Sequence, residues 1–205
     1  MVNKIRTVGI VDYGVGNHAS LIGVISSLGF KVQVSHIKEE LNSADILILP
    51  GVGAFPYAIN RMRHHNLIQC VKSFAKKGKL IIGICLGMQI LADNSTEGGS
   101  SIGLSLIPGK VIPFGSGQTH IGWSGIEARL ATTNKNKYYN KEYYFNHSFR
   151  FVTSHDYIDA DCHFGETFPA IIRNKNIIGL QFHPEKSQHN GREILKSILQ
   201  GDYFV

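Results

Sequence analysis

At 205 residues, 43% of them hydrophobic and 10% aromatic, the chain can bury an ordinary core; this excludes a disordered chain and predicts a single domain over 1–205. Lys and Arg outnumber Asp and Glu 21 to 15, yet the cations are scattered, dense only at 72–79 and 135–141, and no basic or stacking motif accompanies them, so no nucleic-acid partner is expected. The opening Lys4 and Arg6 lead into an apolar run that Asp12 ends too soon for a signal peptide or a membrane span, predicting a soluble, cytoplasmic protein.

In chain order, Thr7–Val11 reads as a strand. Leu21, Ile22, Val24, Ile25 and Leu28 then share one helical face, and Gly29 supplies a stop. Strands at Lys31–Ser35 and Ile46–Leu49 follow, then a helix with Leu67, Ile68, Val71, Phe74 and Ala75 on one side, then a strand at Leu80–Ile84. This βαβ rhythm predicts an α/β fold with a mostly parallel central sheet and helices on both faces. From about Ile107 the chain is β-richer, with strand-like stretches at 143–152, 170–173 and 177–182, and a last helix over 190–200 turns Ile194, Leu195, Ile198 and Leu199 inward.

Three cysteines, odd in number and widely spaced, predict free thiols rather than a disulfide framework. Cys70 falls in a helical pattern and Cys162 in what reads as a polar loop. Cys85 differs. Gly83-Ile84-Cys85-Leu86-Gly87 has the spacing of a nucleophile elbow, in which a strand turns sharply into a helix and lifts the central side chain clear. Chance supplies roughly 0.03 such matches in a chain of this composition. At a helix N-terminus the thiol would face unpaired N–H groups that favour thiolate and can hold an oxyanion. The competing reading is a small buried hydrophobe closing a strand.

A thiol needs a base, and the base needs a third group to orient it. Gln181-Phe182-His183-Pro184-Glu185-Lys186 offers both: Pro184 forces His183 into extended backbone, where residues two apart point the same way, so Glu185 could reach the ring. A second glycine turn, Pro50-Gly51-Val52-Gly53-Ala54-Phe55, ends the third strand, and its amides could face Cys85. Other signals carry less. Gly14-Val15-Gly16-Asn17-His18-Ala19 nominally fits a dinucleotide fingerprint, but no acidic residue ends the second strand. The ten histidines show no metal-ligand spacing, and residues 156–163 read as a solvated loop. Tyr138, Tyr139, Tyr143, Tyr144 and Phe145 read as core and edge-strand aromatics.

Residues 50–55, Gly83 to Gln89, His120-Ile121-Gly122-Trp123, Tyr144-Phe145-Asn146-His147-Ser148 and Gln181 to Ser187 together resemble the triad (class I) glutamine amidotransferases. More closely, they are similar to the glutaminase subunits of imidazole glycerol phosphate synthases, in the same order over nearly the whole chain. The resemblance implies a flavodoxin-like α/β fold in which Cys85 attacks the side-chain amide of glutamine, His183 protonates the departing ammonia and Glu185 holds the imidazole. It implies that the amides of Val52 and Leu86 stabilise the oxyanion, that Gly51, Gln89, His147 and Ser148 shape the glutamine pocket, and that no metal or cofactor is required. It also implies a heterodimer with a (β/α)₈-barrel cyclase, which turns the ammonia into imidazole glycerol phosphate and aminoimidazole carboxamide ribotide. His120 and Trp123 would lie at that interface, Trp123 beside the ammonia route.

The chain departs from the family pattern at Ser124 (usually Asn), Asn146 (usually apolar), Phe149 (usually Tyr) and the lysine-rich 134–141. The triad is intact, so these departures bear on the partner and leave open a paralogous glutaminase serving amidating enzymes of cell-surface sugars; a stand-alone cysteine hydrolase and a non-catalytic binding subunit are more distant alternatives.

Overall fold

The computed structural model describes residues 5–16, 18–115, 117–129 and 137–204; Lys4, Asn17, Lys135 and the rest of 134–136 lie outside them. Among the described residues, thirteen strands and six helices begin in the order β1 (Thr7–Val11), α1 (His18–Ser27), β2 (Lys31–Ser35), α2 (Lys38–Ser43), β3 (Ile46–Leu49), α3 (Phe55–His64), α4 (Leu67–Lys76), β4 (Leu80–Ile84) and α5 (Leu86–Gln89). Then come β5 (Asn94–Ser95), β6 (Ser101–Ile102), β7 (Lys110–Pro113), β8 (His120–Ala128), β9 (Lys141–His147), β10 (Phe149–Val152), β11 (Ile158–Phe164), β12 (Glu166–Asn174), β13 (Ile177–Leu180) and α6 (Gln188–Gln200). No helix among the described residues is long and apolar enough to cross a membrane.

Nine strands form one sheet in the order β2-β1-β3-β4-β13-β12-β11-β8-β9. The first five are parallel, the doubly wound pattern expected of βαβ repeats, and the remainder continue it antiparallel. Alternation along the strands decides which helices pack where. Val8, Ile10, Ile46, Ile48, Ile82 and Ile84 meet α1 and α6 on one face, whereas Leu47, Leu49 and Ile81 meet α2, α3 and α4 on the other. A small second sheet, β10-β7-β5-β6, closes the latter side.

The first four strands have the predicted bounds, and α1 buries Leu21 and Ile25 before Gly29 turns at φ +88°. α2 and α3 have no counterpart among the predicted elements: α2 buries a single side chain, Leu41, too few for a visible period, and α3 hides behind the glycine turn. The stretch 143–152 is two strands, because the chain changes sheet at Ser148. The 177–182 run stops at Leu180, and α6 begins two residues before its predicted start.

Two readings are corrected. Cys162 lies in β11 rather than in a polar loop, and 156–163 is a 3-10 turn followed by that strand. Ile158, Ala160 and Cys162 point inward at a period of two, while Asp159, Asp161 and His163 on the other side make the segment look like solvated coil.

Candidate active site

The parallel strands deliver their carboxyl ends to one edge of the sheet, and the site is built from the residues just beyond those ends. After β1 comes Tyr13, after β3 the Pro50–Val52 turn, after β4 Cys85, and after β13 Gln181 and His183.

Cys85 sits at φ +52°, ψ −108°, a conformation that costs a non-glycine residue about 1–3 kcal/mol. Its flanking glycines make that bend possible through close approach. A Cβ on Gly83 would lie 2.5 Å from the Gly87 carbonyl oxygen, and one on Gly87 would lie 1.8 Å from the Leu49 carbonyl oxygen. The elbow is thus pressed against both α5 and β3. Leu86 opens α5, where its N–H has no intrahelical acceptor.

Pairing of β4 with β13 in the register Ile84↔Leu180 brings the next residues together, and the Cys85 N–H donates to the Leu180 carbonyl at 2.7 Å. His183 is extended (φ −97°, ψ 96°), as its proline neighbour demands. Glu185 reaches it differently from the extended geometry expected: residues Pro184–Lys186 form a 3-10 turn, which proline starts readily, and the carboxylate folds back to Nδ1 at 2.8 Å. Ser187 locks this turn, accepting from the Tyr144 N–H at 2.9 Å and donating to the His183 carbonyl at 2.6 Å.

Burial of the His183 ring disfavours its charge, but Cys85 and Glu185 outweigh that and raise its pKa to about 10. Both neighbours thus favour the protonated ring, with Glu185 fixing the end that carries Nδ1. Glu185 occupies Nδ1, so the buried Nε2 is the ring atom left to face Cys85 and to pass a proton to a reacting group.

A cleft of about 190 Å³ opens over the sulfur, lined by Val52, Leu86, Gln89, Glu97, His147 and Ser148 among others. Gly51 lies behind it; a Cβ there would meet Leu86 at 3.3 Å and the Tyr13 hydroxyl at 2.9 Å, and the Tyr13 hydroxyl itself donates to the Pro50 carbonyl. His147 donates from Nδ1 to the Phe149 carbonyl at 2.8 Å, and burial lowers its pKa to about 3, so it is neutral. A cysteine, a histidine oriented by a carboxylate and the Leu86 amide at the start of α5, around a small cleft, can perform acyl transfer.

The glutamine amidotransferase class-I family model matches residues 9–200. This chain belongs to the class-I glutamine amidotransferase family. "Imidazole glycerol phosphate synthase subunit HisH" of Lactococcus lactis is 40% identical, aligned over 95% of this chain and 98% of its own length, and the subunit so named in Carboxydothermus hydrogenoformans is 39% identical over 93% and 98%. The solved "Structure of PurLQS from Thermotoga maritima" superposes with a TM-score of 0.78 at 21% identity over 98% of this chain and all of the other, a likeness of fold.

In this glutamine amidotransferase the two residues expected at the partner face point opposite ways, as strand alternation requires. His120 is 1% exposed, stacked between Phe145 and Phe164 at 4.6 and 4.2 Å, with burial lowering its pKa to about 4. Trp123 is 43% exposed and packs edge-on against Tyr144, whose ring lies 6.4 Å from that of His183.

Three of the departures from the family pattern, at Ser124, Asn146 and Phe149, can be placed in the structure. Ser124 shares a 2.8 Å hydrogen bond with His120, Asn146 points to solvent, and the ring of Phe149 packs against the core. Three neighbours of the site escape sequence reasoning: Tyr13, Glu97 and Gln181. Glu97 is distant in sequence from every motif, and Tyr13 and Gln181 stand inside motifs whose other members carry the signal.

Proposed function

We propose that this chain hydrolyses glutamine to glutamate and ammonia and is the glutaminase subunit of an imidazole glycerol phosphate synthase. The observation that carries the reading is the contact of the strained Cys85 elbow with the His183–Glu185 pair, beside a small polar cleft that Cys85 lines.

The Cys85 thiolate adds to the side-chain carbonyl carbon of glutamine, forming a C–S bond while the π electrons move to oxygen. The Leu86 and Val52 amides receive that charge. As the tetrahedral adduct collapses, the C–N bond breaks and His183 Nε2 gives its proton to the leaving nitrogen, releasing ammonia and a thioester. Water, deprotonated by the now neutral His183, cleaves the thioester to glutamate and regenerates the thiolate–imidazolium pair. Glu185 keeps the ring oriented, and Gly51, Gln89, His147 and Ser148 shape the pocket.

Glu97 is the carboxylate lining the cleft, with its Oε2 accepting from the Phe55 N–H at 2.8 Å, so it fits the α-ammonium group of glutamine. Glu97→Gln is expected to raise KM for glutamine about tenfold and change kcat by less than about threefold. An unchanged KM would remove Glu97 from the pocket.

Ammonia released into water at neutral pH becomes ammonium, which is not nucleophilic, so the product is useful only inside a complex. The partner is the synthase subunit, a (β/α)₈ barrel. It covers the face that carries exposed Trp123, Ile121 and Lys186 beside a small hollow lined by Val52, His183 and Glu185. Work in the cytoplasm, away from membranes and nucleic acid, accords with that role.

Glutaminase assays with a histidine-pathway synthase and with a sugar-amidating synthase test the pathway: activation by the first alone supports the reading, and activation by the second alone overturns it. Within the triad, His183→Ala is expected to cost about a hundredfold more kcat than Glu185→Gln, because a proton carrier is lost rather than reoriented. The reverse ranking in steady-state glutaminase assays would contradict these roles.

A further inference from the structure

The buried carboxamide of Gln181, fully enclosed, ends a chain of hydrogen bonds whose direction a backbone carbonyl dictates. The Phe149 carbonyl can accept only, so the end of Gln89 that meets it at 2.9 Å is the NH₂ group, Nε2. The second N–H of that group points at Gln181 at 3.4 Å, so the atom it meets must be an acceptor, Oε1. The other end of the Gln181 amide, an N–H donor, therefore faces Cys85 Sγ at 3.9 Å. His147 uses the same Phe149 carbonyl, pinning the relay at its origin.

On its other side the sulfur meets the Asn146 carbonyl at 3.6 Å. That carbonyl accepts the S–H of a neutral thiol and repels the thiolate. The groups around the sulfur thus divide by the form they favour: Asn146 for the thiol, Gln181 for the thiolate. The titratable groups around Cys85 are Tyr13 from the β1–α1 turn, His183 from the turn after β13 with Glu185 behind it, and, lining the same cleft, His147 of β9 and Glu97 from the β5–β6 connection.

We propose that Gln181 is a further catalytic residue of the glutaminase site, its N–H donating to the Cys85 sulfur and stabilising the thiolate that attacks. This rests on the reading of Cys85 as the nucleophile and assigns it a dedicated donor. The relay also links substrate binding to the nucleophile, because Gln89 lines the cleft while its amide holds that of Gln181.

The test is the pH dependence of Cys85 alkylation by iodoacetamide in the full chain, followed on the Cys85 peptide by mass spectrometry so that Cys70 and Cys162 do not contribute. Gln181→Met keeps the volume and removes the N–H. Its half-maximal pH for alkylation is expected to rise by about one unit, with about tenfold slower labelling at neutral pH. Gln89→Met leaves Gln181 in place but frees its amide to turn, and should move the profile by a smaller amount in the same direction. A Gln181→Met protein that melts like wild type and labels with the wild-type profile would overturn the proposal. If Gln181→Met does not fold, Gln89→Met decides: a wild-type profile there overturns it, and a raised one supports it. Wild-type protein without glutaminase activity alongside its partner would instead sink the functional reading while leaving the labelling comparison intact.

Discussion

Replacing Cys85 by alanine is expected to lower glutamine-dependent turnover of the complex with its synthase partner by at least about four orders of magnitude. Turnover supported by added ammonia should stay within about twofold of wild type, because the synthase needs nitrogen and not the thiolate. The measurement is a pair of steady-state assays on one preparation, with glutamine and with an ammonium salt at alkaline pH. The Cys85 side chain is small and lies at the rim of the core, so its loss should leave the partner interface in place. An equal fall in both assays would mean that Cys85 holds the structure together rather than performing the chemistry.

The second large effect is structural. Gly87→Ala would put a methyl group 1.8 Å from the Leu49 carbonyl oxygen and 2.6 Å from its carbon, both backbone atoms of a buried central strand. Neither can move without opening the β3–β4 ladder, so α5 must lift away and carry Cys85 and the Leu86 amide with it. A loss of more than about 4 kcal/mol in urea unfolding is expected, the range reserved for gross steric conflict. Gly23→Ala, in the middle of α1, is the control. A Cβ there meets nothing within 4 Å, and the change should be neutral or stabilising by up to about 1 kcal/mol. If Gly87→Ala unfolds at the wild-type midpoint, the close approach of α5 to β3 is not a constraint on the native state.

Gly83 and Gly87 are legible in the sequence because a strand-to-helix turn of this tightness admits no side chain at either position, a local demand. His183 and Glu185 are legible for a similar reason, since proline restricts the residue before it. The form of the Pro184–Lys186 turn is not legible, because extended chain and a 3-10 turn both bring position 185 back to the ring.

At Cys162 the sequence misleads, since outward Asp and His side chains mask an inward period of two. Composition and spacing along the chain determine that there is an α/β fold, an elbow thiol and a histidine oriented by a carboxylate. The tertiary structure alone decides that β4 lies beside β13 in a register that sets Cys85 against Gln181 and His183. It likewise decides that Glu97 enters the cleft, that Tyr13 props the Pro50 turn, and that His120 and Trp123 part company across their strand. These contacts join residues far apart in the chain, and their distances are set by sheet order and register, which no local pattern encodes.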